Sequence, residues 1–222
     1  KNIYLIMQRH RNPITERIDS LSTLVQSEVY RVGEKLYNQR RVRKFYAEGI
    51  LSGFGKEMEK VFEEGLEGIN FNFLDVGDEF IFDLIYNVVN ETGLNLDAID
   101  LLNLRYRDVE IKGSEDEKIR DALFTYYSYM DTAKTRVQTF GSDIKEVKEL
   151  IGNIERLQYV RSYKGLEACI KDVYYENIRG RGKNNVAMVI GGSHQNDFRK
   201  LCATGELGRY NIVLVTPLSY RP

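Results

Sequence analysis

The most constraining feature of the chain is the segment 186–190, which reads Val-Ala-Met-Val-Ile and ends at Gly191 and Gly192. An unbroken apolar run of this length is typical of a strand buried on both faces, as in a parallel sheet covered by helices. Residues 3–7 and 212–215 form two further apolar runs. The pattern therefore predicts an α/β fold with a mainly parallel central sheet flanked by helices.

The N-terminal part of the chain predicts one complete βαβ unit. After the strand at 3–7, apolar residues recur at three- and four-residue spacing over 18–36, which indicates an amphipathic helix. Residues 42–47 (VRKFYA) then predict a second strand, closed by Glu48 and Gly49. Because the crossover of such a unit is long, its two strands run parallel.

The middle of the chain predicts mostly helix. Residues 79–89 indicate a buried helix, with a strand as the alternative because of their aromatic and β-branched content. Residues 109–113 indicate a short strand, which is followed by a serine and acidic cluster typical of a helix N-terminus. Helical patterns follow over 115–163, with a break near 141–143, and over 165–178. We expect one α/β domain over 1–222, with a mostly helical insertion at about 51–165.

Composition excludes several classes of protein. Of the 222 residues, 42% are apolar and 29% are charged, which is typical of a soluble globular chain. A formal net charge of −1 argues against a dedicated nucleic-acid binder. No apolar run reaches the roughly 18–20 residues of a membrane span. The oligomeric state is not predicted.

The cysteines bear on the compartment. Cys169 and Cys202 are far apart and form no disulfide framework, which favours a reducing compartment such as the cytoplasm. Export stays open, because the chain starts at Lys1 rather than at a methionine.

The two histidines of the chain each follow a predicted strand. His10 comes after the strand at 3–7, and His194 comes after the strand at 186–190. Glu48 closes a third predicted strand, and Glu115 follows a fourth. Since the carboxyl ends of parallel strands share one edge, where such sheets bind ligands, we expect these side chains to meet in one crevice.

Two imidazoles with one or two carboxylates are suitable ligands for zinc, manganese, iron or cobalt. Such a metal lowers the pKa of a bound water and produces a hydrolytic nucleophile. Glu48 could alternatively act as a general base. A structural interpretation also stands: strand-end histidines often make loop hydrogen bonds, Glu48 could cap a helix or pair with an arginine, and an N-cap cluster accounts for Glu115.

Gly191, Gly192 and Ser193 lie between a predicted strand and a predicted helix. Glycines there permit a tight turn and expose N–H groups at a helix N-terminus, which favours an anion. The spacing is neither a dinucleotide fingerprint nor a P-loop. The alternative is that the glycines only let the helix pack closely on the sheet.

Four short motifs stand out: GGSH at 191–194, MQRH at 7–10, the acidic strand end at 47–49, and the helix that contains Lys171. Together they resemble the motifs of one superfamily, which includes the Tiki metalloproteases, the TraB proteins, the haem-binding ChaN-like lipoproteins and the erythromycin-esterase-like proteins. Its C-terminal strand ends in GxxH, as at 191–194, and its N-terminal strand ends in GxxH or GExH, where this chain has Met7 for glycine and Gln8 for the acid. Residues 47–49 match its acidic strand end, and Lys171 replaces an arginine in the helix before its C-terminal strand.

This resemblance implies an α/β fold with a helical insertion and a pocket formed by His10, Glu48 and His194. Tiki-like members imply metal-dependent peptide hydrolysis, with these three residues as ligands or catalytic groups. ChaN-like members imply haem or iron binding without turnover. The motifs also suggest that four residues contact a cofactor, namely Gly191, Gly192, Ser193 and Lys171.

We therefore expect a metal-dependent hydrolase acting on a small-molecule or peptide substrate. In this hypothesis His10 and His194 bind a divalent metal, and Glu48 is a ligand or the general base. Two alternatives stay open. One is a haem- or metal-binding protein without catalysis, and the other is a non-catalytic interaction module that uses its helical insertion.

Overall fold

A computed structural model describes residues 2–11, 15–56, 78–94, 96–140, 144–178, 185–205 and 210–220. Its described strands form one sheet in the order β3-β2-β4-β1-β5, and every pair is parallel. Their bounds are β1 Asn2–Gln8, β2 Lys44–Leu51, β3 Glu110–Glu115, β4 Val186–Gly191 and β5 Asn211–Val215. The predicted α/β class with a parallel central sheet is confirmed.

Helices connect these strands. The described α-helices are α1 Ser20–Arg40, α2 Asp78–Thr92, α3 Ala98–Arg105, α4 Glu117–Phe140, α5 Ile144–Ile178 and α6 Gln195–Thr204, with a 3₁₀ turn at Gly192–His194. Asp19 caps α1 by accepting a hydrogen bond from the Ser22 N–H at 2.6 Å. The predicted break near 141–143 lies outside the described residues.

The prediction of separate helices before and after Gly165 is wrong, since α5 runs through that residue. A Cβ on Gly165 would lie 2.7 Å from Cε of Met188 on β4. The glycine therefore marks a close approach of the helix to the sheet rather than a helix end.

Two apolar layers cover the two faces of the sheet. On one face, α1, α2 and α3 pack against a cluster that includes Ile6, Phe45 and Val189. On the other face, α5 and α6 pack against Leu5 and Met188. Alternate residues of β1 and β4 thus enter opposite layers, as the period of a strand requires. Helices α4 and α5 bury a third, smaller apolar cluster between them, which includes Met130 and Ile154.

Strand β2 does not close at Glu48, as the sequence predicted, but continues to Leu51. The pairing with β3 shifts register between Ala47 and Leu51, which marks a bulge. Gly49 lies inside the bulge with φ at +89°, a conformation that glycine adopts without strain. The bulge sets the position of Glu48 at the sheet edge.

Glu115 is likewise a strand residue, because β3 extends to it and α4 begins at Glu117. The predicted N-cap cluster does cap this helix, through Asp116, whose carboxylate accepts a hydrogen bond from the Ile119 N–H at 3.2 Å, whereas Glu115 lies one position before the cap and is turned inward. Its side chain is only 3% exposed.

Among the described helices, none is both long and apolar enough to cross a membrane.

Candidate functional site

The sheet brings His10, Glu48 and His194 together, although 184 positions separate the two histidines in the chain. The Oε2 atom of Glu48 lies 3.4 Å from Nε2 of His10, and its Oε1 atom lies 3.4 Å from Nε2 of His194. One carboxylate therefore contacts both imidazoles. The geometry follows from the sheet order, because β4 lies between β1 and β2.

The Glu48 carboxylate is largely shielded from solvent, with 12% of its side chain exposed. Burial alone would raise its pKa, but hydrogen bonds from His10 and His194 and the positive charge of Arg161 hold that pKa well below its usual value. Oε2 also accepts a hydrogen bond from the Gly191 N–H at 2.6 Å. Glu48 is therefore ionised at neutral pH.

His10 is the more accessible of the two imidazoles, with 36% of its side chain exposed against 2% for His194. Desolvation would lower the pKa of His10, but the Glu48 hydrogen bond and the charges of Asp97 and Glu48 outweigh it and leave the pKa raised. Its Nε2 atom also lies 3.1 Å from the side-chain nitrogen of Gln8.

Arg161, on α5, bridges two carboxylates at this edge. Its Nη1 atom lies 2.7 Å from Oε1 of Glu48, and its Nη2 atom contacts Oε1 of Glu115. Glu115 Oε1 also accepts a hydrogen bond from the Gly49 N–H in the β2 bulge at 2.9 Å. The guanidinium fork thus joins α5, β2 and β3 around the site. The sequence analysis included an arginine partner for Glu48 as its structural interpretation, but it did not identify Arg161 as that partner.

The second ring nitrogen of His194 is also engaged. Its Nδ1 atom lies 2.6 Å from Oγ of Ser162, which lies 3.0 Å from Oδ2 of Asp197. Sequence reasoning missed Ser162, although a signal exists: it shares a helical face with Leu166, Cys169 and Val173. A serine on an otherwise apolar, buried face indicates a buried polar partner. Ser162 is fully buried, so it holds the ring and is not positioned as a nucleophile.

The predicted metal ligands meet, but their contacts do not fit a divalent cation. Both oxygens of Glu48 already accept hydrogen bonds, one from Gly191 and one from Arg161. The guanidinium supplies positive charge where a metal would, and it would repel one. Within the described ranges, no group of three or more His, Cys, Asp or Glu side chains is arranged to hold a metal ion. Metal and haem binding both stay predictions.

Of the other predicted cofactor residues, Gly191 belongs to the site through its N–H, which donates to Glu48, whereas Lys171 makes its ion pair elsewhere on α5. Gly191 and Gly192 lie beside Glu48 and Tyr220 respectively, where an added Cβ would come within 3.0 Å and 1.8 Å of those side chains. Ser193 is exposed. Lys171 is 62% exposed and pairs with Glu167 one turn away on α5.

A cavity of about 920 Å³ lies elsewhere, at the outer edge of β3. Its described lining includes Phe54, Lys112, Asp172 and Tyr175, and none of the residues that contact Glu48 through a side chain. The charged groups there pair with each other, as Lys112 does with Asp172 at 3.6 Å. The polar cluster around Glu48 is the stronger candidate, because it combines perturbed pKa values with convergent groups.

No family model, curated protein or solved structure matches this chain. The resemblance to the Tiki, TraB and ChaN-like superfamily therefore stays a prediction from the motifs at residues 7–10, 47–49 and 191–194.

Proposed function

We propose that this chain is an acid–base hydrolase in which His10 activates water for attack on an ester or amide bond. The observation that carries the proposal is the contact between the exposed His10 imidazole and the shielded, ionised Glu48 carboxylate. An imidazole that is accessible on one side and paired with a fixed carboxylate on the other is a suitable general base.

The roles of the surrounding residues follow from their contacts. His10 accepts a proton from water, and the negative charge of Glu48 stabilises the imidazolium that forms. Arg161 and the Gly191 N–H hold Glu48 in place. His194 contacts the other carboxylate oxygen of Glu48, and Ser162 holds the His194 ring in its orientation. These contacts prearrange the groups before substrate binds.

Replacement of His10 by alanine should reduce hydrolysis by about 100-fold or more, since a general base contributes about 10²–10⁴-fold. The assay uses p-nitrophenyl esters of different chain length and a fluorogenic peptide, with kcat/KM as the measured quantity. Lys164→Ala is the control, because Lys164 is an exposed lysine on α5 that pairs with Glu167. The control should hydrolyse each probe at the wild-type rate.

Elemental analysis of the same protein, purified without chelator, separates this proposal from its rivals. Near-stoichiometric manganese, iron, cobalt or zinc, lost in a His10→Ala, His194→Ala double variant, would overturn the metal-free proposal in favour of a metallohydrolase. A Soret band on haem titration, with no turnover of any probe, would favour a haem-binding protein. Turnover that survives His10→Ala would remove His10 from the reaction.

The hydrolysis rate should rise with pH as His10 loses its proton, because a general base acts in its neutral form. The raised pKa of His10 places the midpoint of that rise above 6.5. Glu48→Gln removes the charge that opposes desolvation, so the midpoint should move to lower pH. The measurement is kcat/KM from about pH 5 to about pH 9 for both proteins. A midpoint that Glu48→Gln leaves unchanged would contradict the assignment of the titrating group to His10.

A further inference from the structure

The cavity at the outer edge of β3 takes no part in the proposed hydrolysis, yet it has the dimensions of a ligand site. Its volume is about 920 Å³, and small-molecule pockets in proteins measure about 300–1,000 Å³. Its described lining comes mainly from segment 52–56, from β3, and from Ala168, Asp172 and Tyr175 of α5. These three positions are four and three residues apart, so they share one face of the helix.

Segment 52–56 is fastened to β3 through its backbone. The Ser52 N–H donates to the Glu115 carbonyl oxygen at 2.8 Å, and the Phe54 carbonyl oxygen accepts from the Gly113 N–H at 2.9 Å. The backbone of Phe54 is therefore held in place, although its side chain lines the cavity and is 66% exposed. An apolar ring that is fixed but left in water is prearranged for contact with a ligand, because little conformational freedom is lost on binding.

A second ring lines the same cavity. Tyr175, on α5, is 57% exposed. Single exposed aromatic residues are common on protein surfaces and need no explanation. Two exposed rings that come from different parts of the fold and line one cavity are a suitable arrangement for stacking on a planar ligand.

Lys112, on β3, supplies a cation that its carboxylate partners hold only loosely. Its Nζ atom lies 3.6 Å from Oδ2 of Asp172 and 3.8 Å from Oε2 of Glu110. A charge-assisted hydrogen bond is shorter, at about 2.7–2.9 Å. Asp172 lies closer to Lys44, at 3.3 Å, and also accepts a hydrogen bond from the Tyr46 hydroxyl. One carboxylate thus serves two ammonium groups, which favours an anion beside Lys112.

The rest of the charged lining has the same sign preference. The described lining contains three cations and two carboxylates: Lys56, Arg107 and Lys112 against Glu110 and Asp172. Lys56 is the tightly paired cation, since its Nζ atom lies 2.6 Å from Oδ2 of the buried Asp100. A concave surface lined by an excess of one sign attracts ligands of the other sign.

We propose that this cavity binds a small molecule that combines a planar ring with an anionic group. The ring stacks on Phe54 and Tyr175, and the anionic group accepts hydrogen bonds from the Lys112 ammonium. Aromatic carboxylates and nucleoside monophosphates share this chemistry. The site is separate from the cluster around Glu48, since none of the residues that contact Glu48 through a side chain belongs to its described lining.

Isothermal titration calorimetry with adenosine monophosphate and with 2-naphthoate tests the proposal. At least one of the two should bind, and its uncharged counterpart, adenosine or 2-naphthol, should bind about tenfold more weakly or worse, because the contact with Lys112 is lost. Inorganic phosphate and acetate, which lack the ring, should also bind more weakly. Binding of adenosine monophosphate alone would identify a nucleotide site, and binding of 2-naphthoate alone a site for aromatic acids.

Two substitutions locate the ligand. Phe54→Ala and Lys112→Gln should each weaken binding about tenfold or more, through loss of stacking and of the charged contact respectively. Phe124→Ala is the matched control for the ring, because Phe124 lies on α4 and is 67% exposed. Lys164→Gln is the matched control for the charge. Both controls should bind the probe like the wild type, and thermal unfolding should show that all four variants are folded.

Absence of binding by both probes would overturn the inference, and so would affinities that Phe54→Ala and Lys112→Gln leave unchanged. Loss of binding in His10→Ala would place the ligand at the cluster around Glu48 and would overturn it as well. The result is independent of the proposed function, because calorimetry requires no turnover. A chain that binds the probe here and hydrolyses nothing keeps this site and rejects the hydrolase, and hydrolysis without binding here rejects this site alone.

Discussion

Replacement of Arg161 by methionine should lower the free energy of unfolding by about 3–5 kcal/mol, the cost of removing one partner from a buried ion pair. Arg161 is the cation between Glu48 and Glu115, and it is only 23% exposed. Without it, Glu115 keeps the Gly49 N–H but has no counter-charge, and its Oε2 atom already lacks a partner among the described residues. Urea denaturation at neutral pH measures the loss.

Acid should narrow the difference between the two proteins, since protonation removes the charge that Arg161→Met leaves uncompensated. Adding Glu115→Gln to Arg161→Met should restore part of the lost free energy of unfolding, because glutamine carries no charge that needs a counter-charge. Arg161→Lys is the matched variant: an ammonium keeps the charge but lacks the fork that contacts both carboxylates, so an intermediate loss is expected. A loss below about 1 kcal/mol that is equal at all pH values would mean that the pairing stabilises no more than a surface ion pair does.

Gly113→Ala should cost roughly 3 kcal/mol, at the upper end of the range for overpacking, because the atoms in its way belong to the backbone. A Cβ on Gly113 of β3 would lie 2.0 Å from the carbonyl oxygen of Leu51 and 2.5 Å from that of Ile50. Both belong to the β2 bulge that carries Glu48. The bulge would have to move away from β3, so hydrolysis should fall together with stability.

Gly152→Ala provides the control for this substitution. Gly152 lies in α5, and no atom lies within 4 Å of its added Cβ. Alanine there should leave activity unchanged and raise stability by up to about 1 kcal/mol, through helix propensity. Thermal unfolding and kcat/KM together check both variants. A Gly113→Ala protein as stable and as active as the wild type would show that the bulge tolerates displacement.

Much of the fold could be predicted from local patterns. The apolar runs of β1 and β4 and the helical spacing of α1 are properties of short segments, and strand-end positions sufficed to place His10 and His194 at one edge. The sequence analysis divided α5 near Gly165, because a glycine at a helix boundary and one that permits close packing look the same in sequence. Its role depends on Met188, which is distant in the chain.

The long-range contacts of Arg161 and Gln8 were beyond prediction for the same physical reason. Arg161 reaches Glu48 and Glu115 only because α5 lies across β2 and β3, and nothing in its neighbours along the chain indicates those partners. By residue type alone, Gln8 is a missing acid. In the structure its side-chain nitrogen lies 3.1 Å from Nε2 of His10 and its Oε1 atom accepts a hydrogen bond from Gln26 on α1, contacts that only coordinates reveal.

The central place of β4 also has a consequence for synthesis of the chain on the ribosome. Because β4 separates β1 from β2, these two strands share no hydrogen bonds with each other and must wait for residues 186–191 to emerge. The first βαβ unit is made early but acquires its shared neighbour only when about five sixths of the chain exists. Strand pairing over such separations is slow. His10 and Glu48 therefore stay apart through most of translation, and the nascent chain exposes unpaired strand edges until its final part is made.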